Sequence, residues 1–225
     1  MARPGKRTRA NLEMVPAEPL PLKEAVAALK KFKGPKFDQT VEICFTLGID
    51  TTQADQLVRG AIALPHGVGK SKRVIAFCGS DDAAGAKAAG AIEAGSDDLV
   101  KKISDGWMDF DVAVASPDMM KIVSRLGRQL GPRGLMPTPK AGTVTTDIAK
   151  AVREYSAGKV EYRNDKGGNV QAAVGRMSFT EDNLTDNIDF FIQAILKAKP
   201  SSTKGVFVKK VTISGTMTPG VRVAV

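Results

Sequence analysis

Between residues 70 and 158, short apolar segments alternate with helical ones, and no other feature of the sequence constrains the fold as strongly. The apolar segments RVIAFC (73–78) and DVAVA (111–115) have the length and composition of strands that are buried on both faces. Strands that alternate with helices predict a parallel sheet with crossover helices, which is a Rossmann-like three-layer αβα domain. The predicted helices of this region lie at about 82–93, 97–104, 118–126 and 146–155.

On both sides of this region the strands instead have the two-residue period of a half-buried sheet. In TVEICFTL (40–47), an apolar face alternates with a short-chained polar face that contains Thr40, Glu42 and Thr46. A helix that begins at Pro21 and is stopped by Gly34-Pro35, and a second helix that follows a capping box at Ser178–Glu181, complete the pattern. The other strands are predicted at 57–64, 159–163, 170–179, 205–214 and 221–225, with a hairpin turn over 164–169.

The sequence therefore predicts an α/β protein in which one domain is inserted into another. The outer domain, residues 1–68 plus 159–225, is α+β, and the inserted Rossmann-like domain covers residues 69–158. The two parts differ in charge, because the outer segments carry a net charge of +7 and the inserted segment only +2. We expect any surface that attracts polyanions to lie on the discontinuous outer domain.

The overall charge favours a nucleic-acid partner. Lys and Arg exceed Asp and Glu by nine, and residues 1–21 predict a mobile basic arm that includes Arg3, Lys6, Arg7 and Arg9. Only Cys44 and Cys78 are present, so we expect no disulfide framework and no zinc site, and the residues suggest no other metal or cofactor. The sequence has no apolar run of 18 residues and no secretory signal, which predicts a cytoplasmic protein without membrane contact.

An enzymatic alternative depends on Gly67-Val68-Gly69-Lys70-Ser71, which ends like a P-loop. A P-loop requires a glycine five residues before Gly69, where this chain has Leu64, and it requires a following helix, whereas a strand is predicted here. His66, the only histidine, lies in a predicted turn and is expected to be structural. We therefore predict no enzyme, and keep a nucleotide-binding enzyme of the middle domain as the alternative. A DNA-binding regulator is a third hypothesis, weakened by the absence of a helix-turn-helix or zinc pattern.

The polar face of strand 40–47 favours RNA over other polyanions. Short hydroxyl side chains can meet ribose hydroxyls and base edges, and the carboxylate of Glu42 can accept hydrogen bonds from a 2′-OH or a base amino group. Lys30, Lys31, Lys33 and Lys36 precede this strand together with Phe37.

Several motifs resemble a known family. LGRQLGPRGLMPTPKAGTV (126–144), KFDQTVEICFTLGID (36–50), VRGAIALPHGVGK (58–70), YRNDKGGNV (162–170) and Thr216-Met217 closely resemble the bacterial ribosomal protein L-one family, nearly from end to end. The resemblance implies a two-domain structural protein of the large ribosomal subunit in the cytoplasm. It also implies binding of large-subunit ribosomal RNA at the mobile stalk beside the exit site and help in releasing deacylated transfer RNA. Bacterial members further repress translation of their own operon messenger, and the protein is expected to be a monomer among other ribosomal components.

The family's functional positions carry over residue by residue. The expected RNA-binding residues are Lys36, Phe37, Thr40, Glu42, Lys166, Gly167, Thr216, Met217 and Thr218. The last of these replaces the glycine of the family's Thr-Met-Gly triplet, and a β-branched residue there predicts an altered approach of the backbone to RNA. The signature loop of the inserted domain matches Gly131, Arg133, Gly134 and Met136, with an expected role that is architectural first and RNA-contacting second.

Overall fold

The computed structural model describes residues 5–224, with the side chain of Asp81 excepted. Its helices are α1 (Lys6–Glu13), α2 (Leu22–Lys31), α3 (Ser80–Ala88), α4 (Asp97–Ser104), α5 (Met120–Val123), α6 (Gly127–Leu130), α7 (Ile148–Ser156) and α8 (Glu181–Lys197). Its strands are β1 (Thr40–Leu47), β2 (Arg59–Ile62), β3 (Val74–Phe77), β4 (Glu93–Gly95), β5 (Val112–Ala115), β6 (Val160–Arg163), β7 (Asn169–Arg176), β8 (Val208–Gly215) and β9 (Val221–Val223). No helix in this part of the chain is long and apolar enough to cross a bilayer.

The described residues divide into two compact units. The outer unit comprises those of Met1–Gly69 and Val160–Val225, and the inner unit is Lys70–Lys159. Gly69 lies in the outer unit, where a Cβ atom on it would stand 2.8 Å from the ring of Phe179. Lys159 lies in the inner unit, where its ammonium is 2.7 Å from a carboxylate oxygen of Glu154.

The inner unit is a three-layer αβα structure. Its parallel sheet has the order β4-β3-β5, so the central strand is the first in sequence. Alternate residues of β3 enter different cores: Val74 and Ala76 pack in one cluster with residues of α3 and α7. Ile75 and Phe77 pack on the opposite face with residues of α4, α5 and α6. The predicted α/β class is thereby confirmed.

Two helices of the inner unit differ from the prediction. The helix expected over 82–93 is α3, which ends at Ala88 and is followed by the short strand β4. Gly90 adopts a φ of +108°, which disfavours continuation of a right-handed helix. The helix expected over 118–126 consists of α5, a 3₁₀ turn at Ser124–Leu126, and α6.

The outer unit contains a four-stranded antiparallel sheet in the order β7-β1-β8-β9. Strand β1 has the predicted bounds and the predicted alternation, since Val41, Ile43 and Phe45 are completely buried. These residues share a core with Leu29 of α2 and with the apolar face of α8. The predicted face of α8 is confirmed, because Leu184, Ile188, Phe191, Ile192 and Ile195 are all buried.

Three predictions for the outer unit are wrong. Residues 6–13 form α1 instead of a mobile arm, while Arg3 lies outside the described residues. Strands β6 and β7 do not form a ladder with each other: β6 pairs with β2, β7 pairs with β1, and one bridge joins Asn164 to Val170. Finally, the N-cap of α8 is Thr180, which accepts from the backbone N–H of Asn183, whereas the Ser178 hydroxyl bonds to Asp38.

A buried asparagine on α8 fixes the chain just before the inner unit. Asn187 is fully inaccessible, and its Oδ1 accepts from the backbone N–H of His66 at 3.0 Å. Its Nδ2 donates to the carbonyls of Gly67 at 2.9 Å and Val174 at 2.8 Å. The predicted turn at His66 is therefore held by a side chain that is distant in sequence.

Candidate nucleic-acid interface

The sheet of the outer unit has one face covered by helices and one open face. Directly paired residues of neighbouring strands lie on the same face, so the polar positions of β1 identify their neighbours. The open face consists of Thr40, Glu42, Cys44, Thr46, Asn169, Gln171, Ala173, Arg176, Lys210, Thr212, Ser214 and Arg222. All twelve residues are exposed or half-buried.

The chemistry of the open face suits a folded polyanion with hydrogen-bonding edges. It has one acidic residue, Glu42, and three basic residues, Lys210, Arg222 and Arg176. Arg176 is partly engaged with Asp38, whose backbone carbonyl accepts from its guanidinium at 3.2 Å. The other members have mostly short side chains, which leaves the backbone of the sheet close to the surface. Such a face offers directional hydrogen bonding with a moderate positive bias.

The loop after β8 is fastened to the start of β1. The backbone N–H of Thr216 donates to the carbonyl of Thr40 at 3.1 Å, and the Thr216 hydroxyl accepts from the Thr40 N–H at 3.2 Å. The backbone N–H of Met217 donates to the side-chain carbonyl of Gln39 at 2.8 Å, and Gln39 is only 3 % exposed. These bonds continue the contact between β1 and β8 beyond the end of β8, into the loop that follows it. The hydroxyl of Thr216 is thus engaged within the protein, where it positions the loop.

Thr218 closes this loop through its hydroxyl. Its Oγ1 accepts from the backbone N–H of Gly215 at 2.8 Å, and its own N–H donates to the carbonyl of Gly215 at 3.1 Å. No residue other than glycine has a positive φ in the described chain, so threonine occupies position 218 without backbone strain. The family's glycine would remove the hydroxyl that ties the turn.

We expect Thr218→Gly to lower the free energy of unfolding by about 1–2 kcal/mol, since it removes a hydrogen bond and adds freedom to the unfolded chain. Urea titration followed by circular dichroism measures this change. Thr218→Ser, which keeps the hydroxyl, is the matched control and should recover most of the loss. Equal losses in both variants would contradict a role of the hydroxyl.

Seven of the nine predicted RNA-binding residues lie together at one end of the sheet, here called the loop end: Lys36, Phe37, Thr40, Glu42, Thr216, Met217 and Thr218. Lys36 is exposed, and Phe37 and Met217 are 54 % and 50 % exposed although their side chains are large and apolar. Exposed apolar side chains beside hydroxyl groups and a lysine can stack on bases while the cation meets phosphate.

Lys166 and Gly167 lie at the opposite end of the sheet. The start of β7 pairs with Thr46, whereas the loop end adjoins Thr40, and six residues of strand separate these positions by about 20 Å. The turn is well ordered by hydrogen bonds: the Asp165 carboxylate accepts from the backbone N–H groups of Asn169 and Gly167, each at 2.8 Å. These bonds, with that from Asn169 the largest cause, lower the pKa of Asp165 below its ordinary value.

The signature loop lies in the inner unit. Its glycines occupy positions where the backbone makes a close approach or adopts a positive φ. A Cβ atom on Gly131 would stand 2.5 Å from the carbonyl oxygen of Gly127, and Gly134 has a φ of +70°. Met136 packs against the core beneath α4 to α6, whereas Arg133 is exposed. Both glycines are thus required by the local backbone, and Arg133 is the member of the loop that can meet a ligand.

The segment that resembles a P-loop has no helix behind it. Gly67 and Gly69 adopt φ values of +63° and +75°, and the chain continues into strand β3. His66 is a turn residue whose ring nitrogen lies 3.3 Å from Asp186. Among residues 5–224, no group of three histidine, cysteine or acidic side chains is arranged to hold a metal ion.

The predicted RNA-binding residues omitted eight polar members of the open face: Thr46, Asn169, Gln171, Arg176, Lys210, Thr212, Ser214 and Arg222. A signal for two of them was present in VKKVTIS, where Lys210 and Thr212 alternate with the apolar residues Val211 and Ile213. That alternation does not indicate which strand lies beside β8, so it could not place these residues next to β1.

The chain matches the model of the ribosomal protein L1p/L10e family over residues 29–219. A protein of Rhodopirellula baltica is 58 % identical over 224 residues, which are 100 % of both chains. Proteins of Streptococcus gordonii and Streptococcus sanguinis are 52 % and 51 % identical over 226 residues, which are 100 % of this chain and 99 % of theirs. All three are named large ribosomal subunit protein uL1, which is the name of a ribosomal component and not of an enzyme. With the predicted resemblance confirmed over its whole length, the chain belongs to the ribosomal protein L1p/L10e family.

Proposed function

We propose that this protein is a non-enzymatic component of the large ribosomal subunit in the cytoplasm and that it binds large-subunit ribosomal RNA through its outer unit. The observation that carries the proposal is the loop end, where seven residues expected from the family pattern lie together and four of them, Thr40, Thr216, Met217 and Thr218, are ordered by hydrogen bonds. The names of its relatives support the place in the ribosome.

The proposed binding surface runs from the loop end along the open face. The bonds of Thr216, Met217 and Thr218 hold the loop in place before RNA arrives, so little conformational freedom is lost on binding. Phe37 and Met217 provide stacking surfaces, and the ammonium groups of Lys36 and Lys210 neutralise phosphates. The turn at Lys166 is a second RNA-binding position, about 20 Å away.

We further propose the finer roles that the family resemblance implies: binding at the mobile stalk, assistance in the release of deacylated transfer RNA from the exit site, and repression of the protein's own operon messenger. A messenger that presents the same folded RNA surface would compete with ribosomal RNA for the loop end. The chain would act as a monomer within the subunit.

The salt dependence of RNA affinity tests this proposal. A fragment of large-subunit ribosomal RNA is first located by footprinting the protein on total ribosomal RNA. The logarithm of the affinity for that fragment should fall linearly with the logarithm of the salt concentration. Combining Lys36→Gln with Lys210→Gln should reduce the slope by about 0.7–0.9 for each phosphate that the variant no longer neutralises.

Lys23→Gln combined with Lys197→Gln is the matched control, since it removes the same charge from exposed positions on α2 and α8. The control should leave the slope almost unchanged. A slope near zero for the unmodified protein, or an equal effect of the two double variants, would contradict the proposed surface.

A further inference from the structure

The inner unit has a strongly basic segment although its remaining residues are acidic overall. From Met119 to Thr146 the sequence has five basic residues and no acidic residue. The rest of Lys70–Lys159 has nine basic and eleven acidic residues. The positive charge of this unit is therefore concentrated in one segment, which includes α5 and α6.

Three of these cations lie on one side of a continuous helical run. Helix α5, the 3₁₀ turn at Ser124–Leu126 and α6 follow one another without a break, and the joining residues Val123 and Gly127 have helical dihedral angles. Turning by about 100° per residue in α-helix and about 120° in 3₁₀-helix places Lys121, Arg125 and Arg128 within about 70° of one another.

The opposite side of the same run is buried. Val123, Leu126 and Leu130 are at most 2 % exposed and pack in the core against the central sheet. The three cations are exposed, and none of them forms an ion pair within the described chain. The packing of the apolar side therefore holds a row of three unneutralised charges toward solvent. The row is about 11 Å long, at about 1.5 Å per residue.

We propose that Lys121, Arg125 and Arg128, here called the cationic row, bind the phosphate backbone of RNA independently of the outer unit. Two of the three are arginines, whose planar guanidinium group can donate two parallel hydrogen bonds to one phosphate. The exposed Ser124 lies on the same side, but its hydroxyl already donates to the carbonyl of Lys121 at 2.7 Å. The row therefore recognises charge rather than base sequence. The choice of RNA as the polyanion depends on the proposed function, whereas the cationic row itself does not.

The test uses the full chain and an RNA duplex of arbitrary sequence. Replacing Lys121, Arg125 and Arg128 with glutamine should reduce the slope of log affinity against log salt by about 2–3, since each neutralised phosphate accounts for about 0.7–0.9 of the slope. The same reduction should appear when Lys36→Gln and Lys210→Gln are also present. Each single substitution should remove about a third of the effect, which guards against misfolding of the triple variant.

The matched control replaces Lys87, Lys101 and Lys150 with glutamine, because these are exposed lysines on other helices of the same unit. This control should change the slope by less than about one unit. Equal effects of the two triple variants would show a response to net charge alone and would overturn the proposal. So would binding of polyglutamate as tight as that of the duplex, which would indicate an acidic protein as the partner.

Failure of this proposal is distinguishable from failure of the proposed function. Affinity for the ribosomal RNA fragment reports on the loop end, and the arbitrary duplex reports on the cationic row. If substitutions in the cationic row do not change the binding of the duplex, this proposal fails. The Lys36→Gln and Lys210→Gln variant would still reduce the salt slope measured with the ribosomal RNA fragment, so the proposed function would stand.

Discussion

Replacing Asn187 with alanine is expected to lower the free energy of unfolding of the outer unit by about 3–4 kcal/mol. The substitution removes three hydrogen bonds, to His66, Gly67 and Val174, and leaves at least the carbonyl of Val174 buried without a partner. It also leaves a small cavity beneath α8. Urea titration followed by far-ultraviolet circular dichroism measures the loss.

Two further variants separate the hydrogen bonds from the loss of volume. Asn187→Asp keeps an acceptor for the His66 N–H but removes both donated bonds and places a carboxylate beside two carbonyl oxygens, so it should be at least as destabilising. Gln193→Ala, at an exposed position of the same helix, should change stability by less than about 0.5 kcal/mol.

The single tryptophan provides an independent readout. Trp107 packs against Phe110 in the inner unit, so its emission follows that unit alone. Asn187→Ala should shift the circular dichroism transition more than the tryptophan transition. Equal shifts of the two transitions would contradict the assignment of this anchor to the outer unit.

Replacing Phe37 with alanine is expected to weaken binding to the ribosomal RNA fragment by about 1–3 kcal/mol, the value of one base–aromatic stack. The ring is more than half exposed and contributes little to the core, so the unfolding midpoint should remain within about 1 °C. Fluorescence anisotropy with labelled fragment gives the affinity, and a thermal scan gives the midpoint.

Phe190→Ala is the matched control for this measurement. Phe190 is 46 % exposed and belongs to the same unit, but it lies on α8, which covers the other face of the sheet. Its removal should change the RNA affinity by less than a factor of two. A loss for Phe190→Ala as large as that for Phe37→Ala would contradict the loop end as the binding surface.

The elements that were predicted well from the sequence are those whose apolar residues recur at a regular local spacing. Strand β1 alternates strictly between buried and accessible residues, and its bounds follow from that alternation. The face of α8 follows from its helical spacing in the same way. The predicted α3 is too long because its alanines continue the helical composition as far as Gly90, where the backbone turns left-handed.

The partners of strands were harder to predict than the strands. The segment 164–169 has a composition that is typical of a turn, but composition does not state which strands pair. Here β6 pairs with β2 and β7 with β1, so the turn joins two different sheets. Each choice depends on residues more than 90 positions apart in sequence, which local patterns do not contain.

The same limit applied to the candidate binding site and to the contacts that order it. Positions carried over from the family pattern indicated the residues of the loop end. The bonds that order it, which involve Gln39, Thr40 and Gly215, could be seen only in the structure. Asn187 could have been found in the sequence, because it is a polar residue on the buried side of a helix, next to Ile188 and one turn from Leu184. Such a residue usually has hydrogen-bond partners in the core.

The outer unit is built from two segments that are separated in sequence by the inner unit, and this determines when it can form during synthesis. The central strand β1 pairs with β7 and β8, which emerge from the ribosome about 130 and 170 residues later. At about 5–20 residues per second, β1 waits roughly 6–25 s for β7 to be completed. The inner unit has all its strands by then and can fold first. Because the loop at residues 216–218 is among the last parts to be translated, a growing chain would complete the proposed RNA-binding surface of the outer unit only when its synthesis is nearly finished.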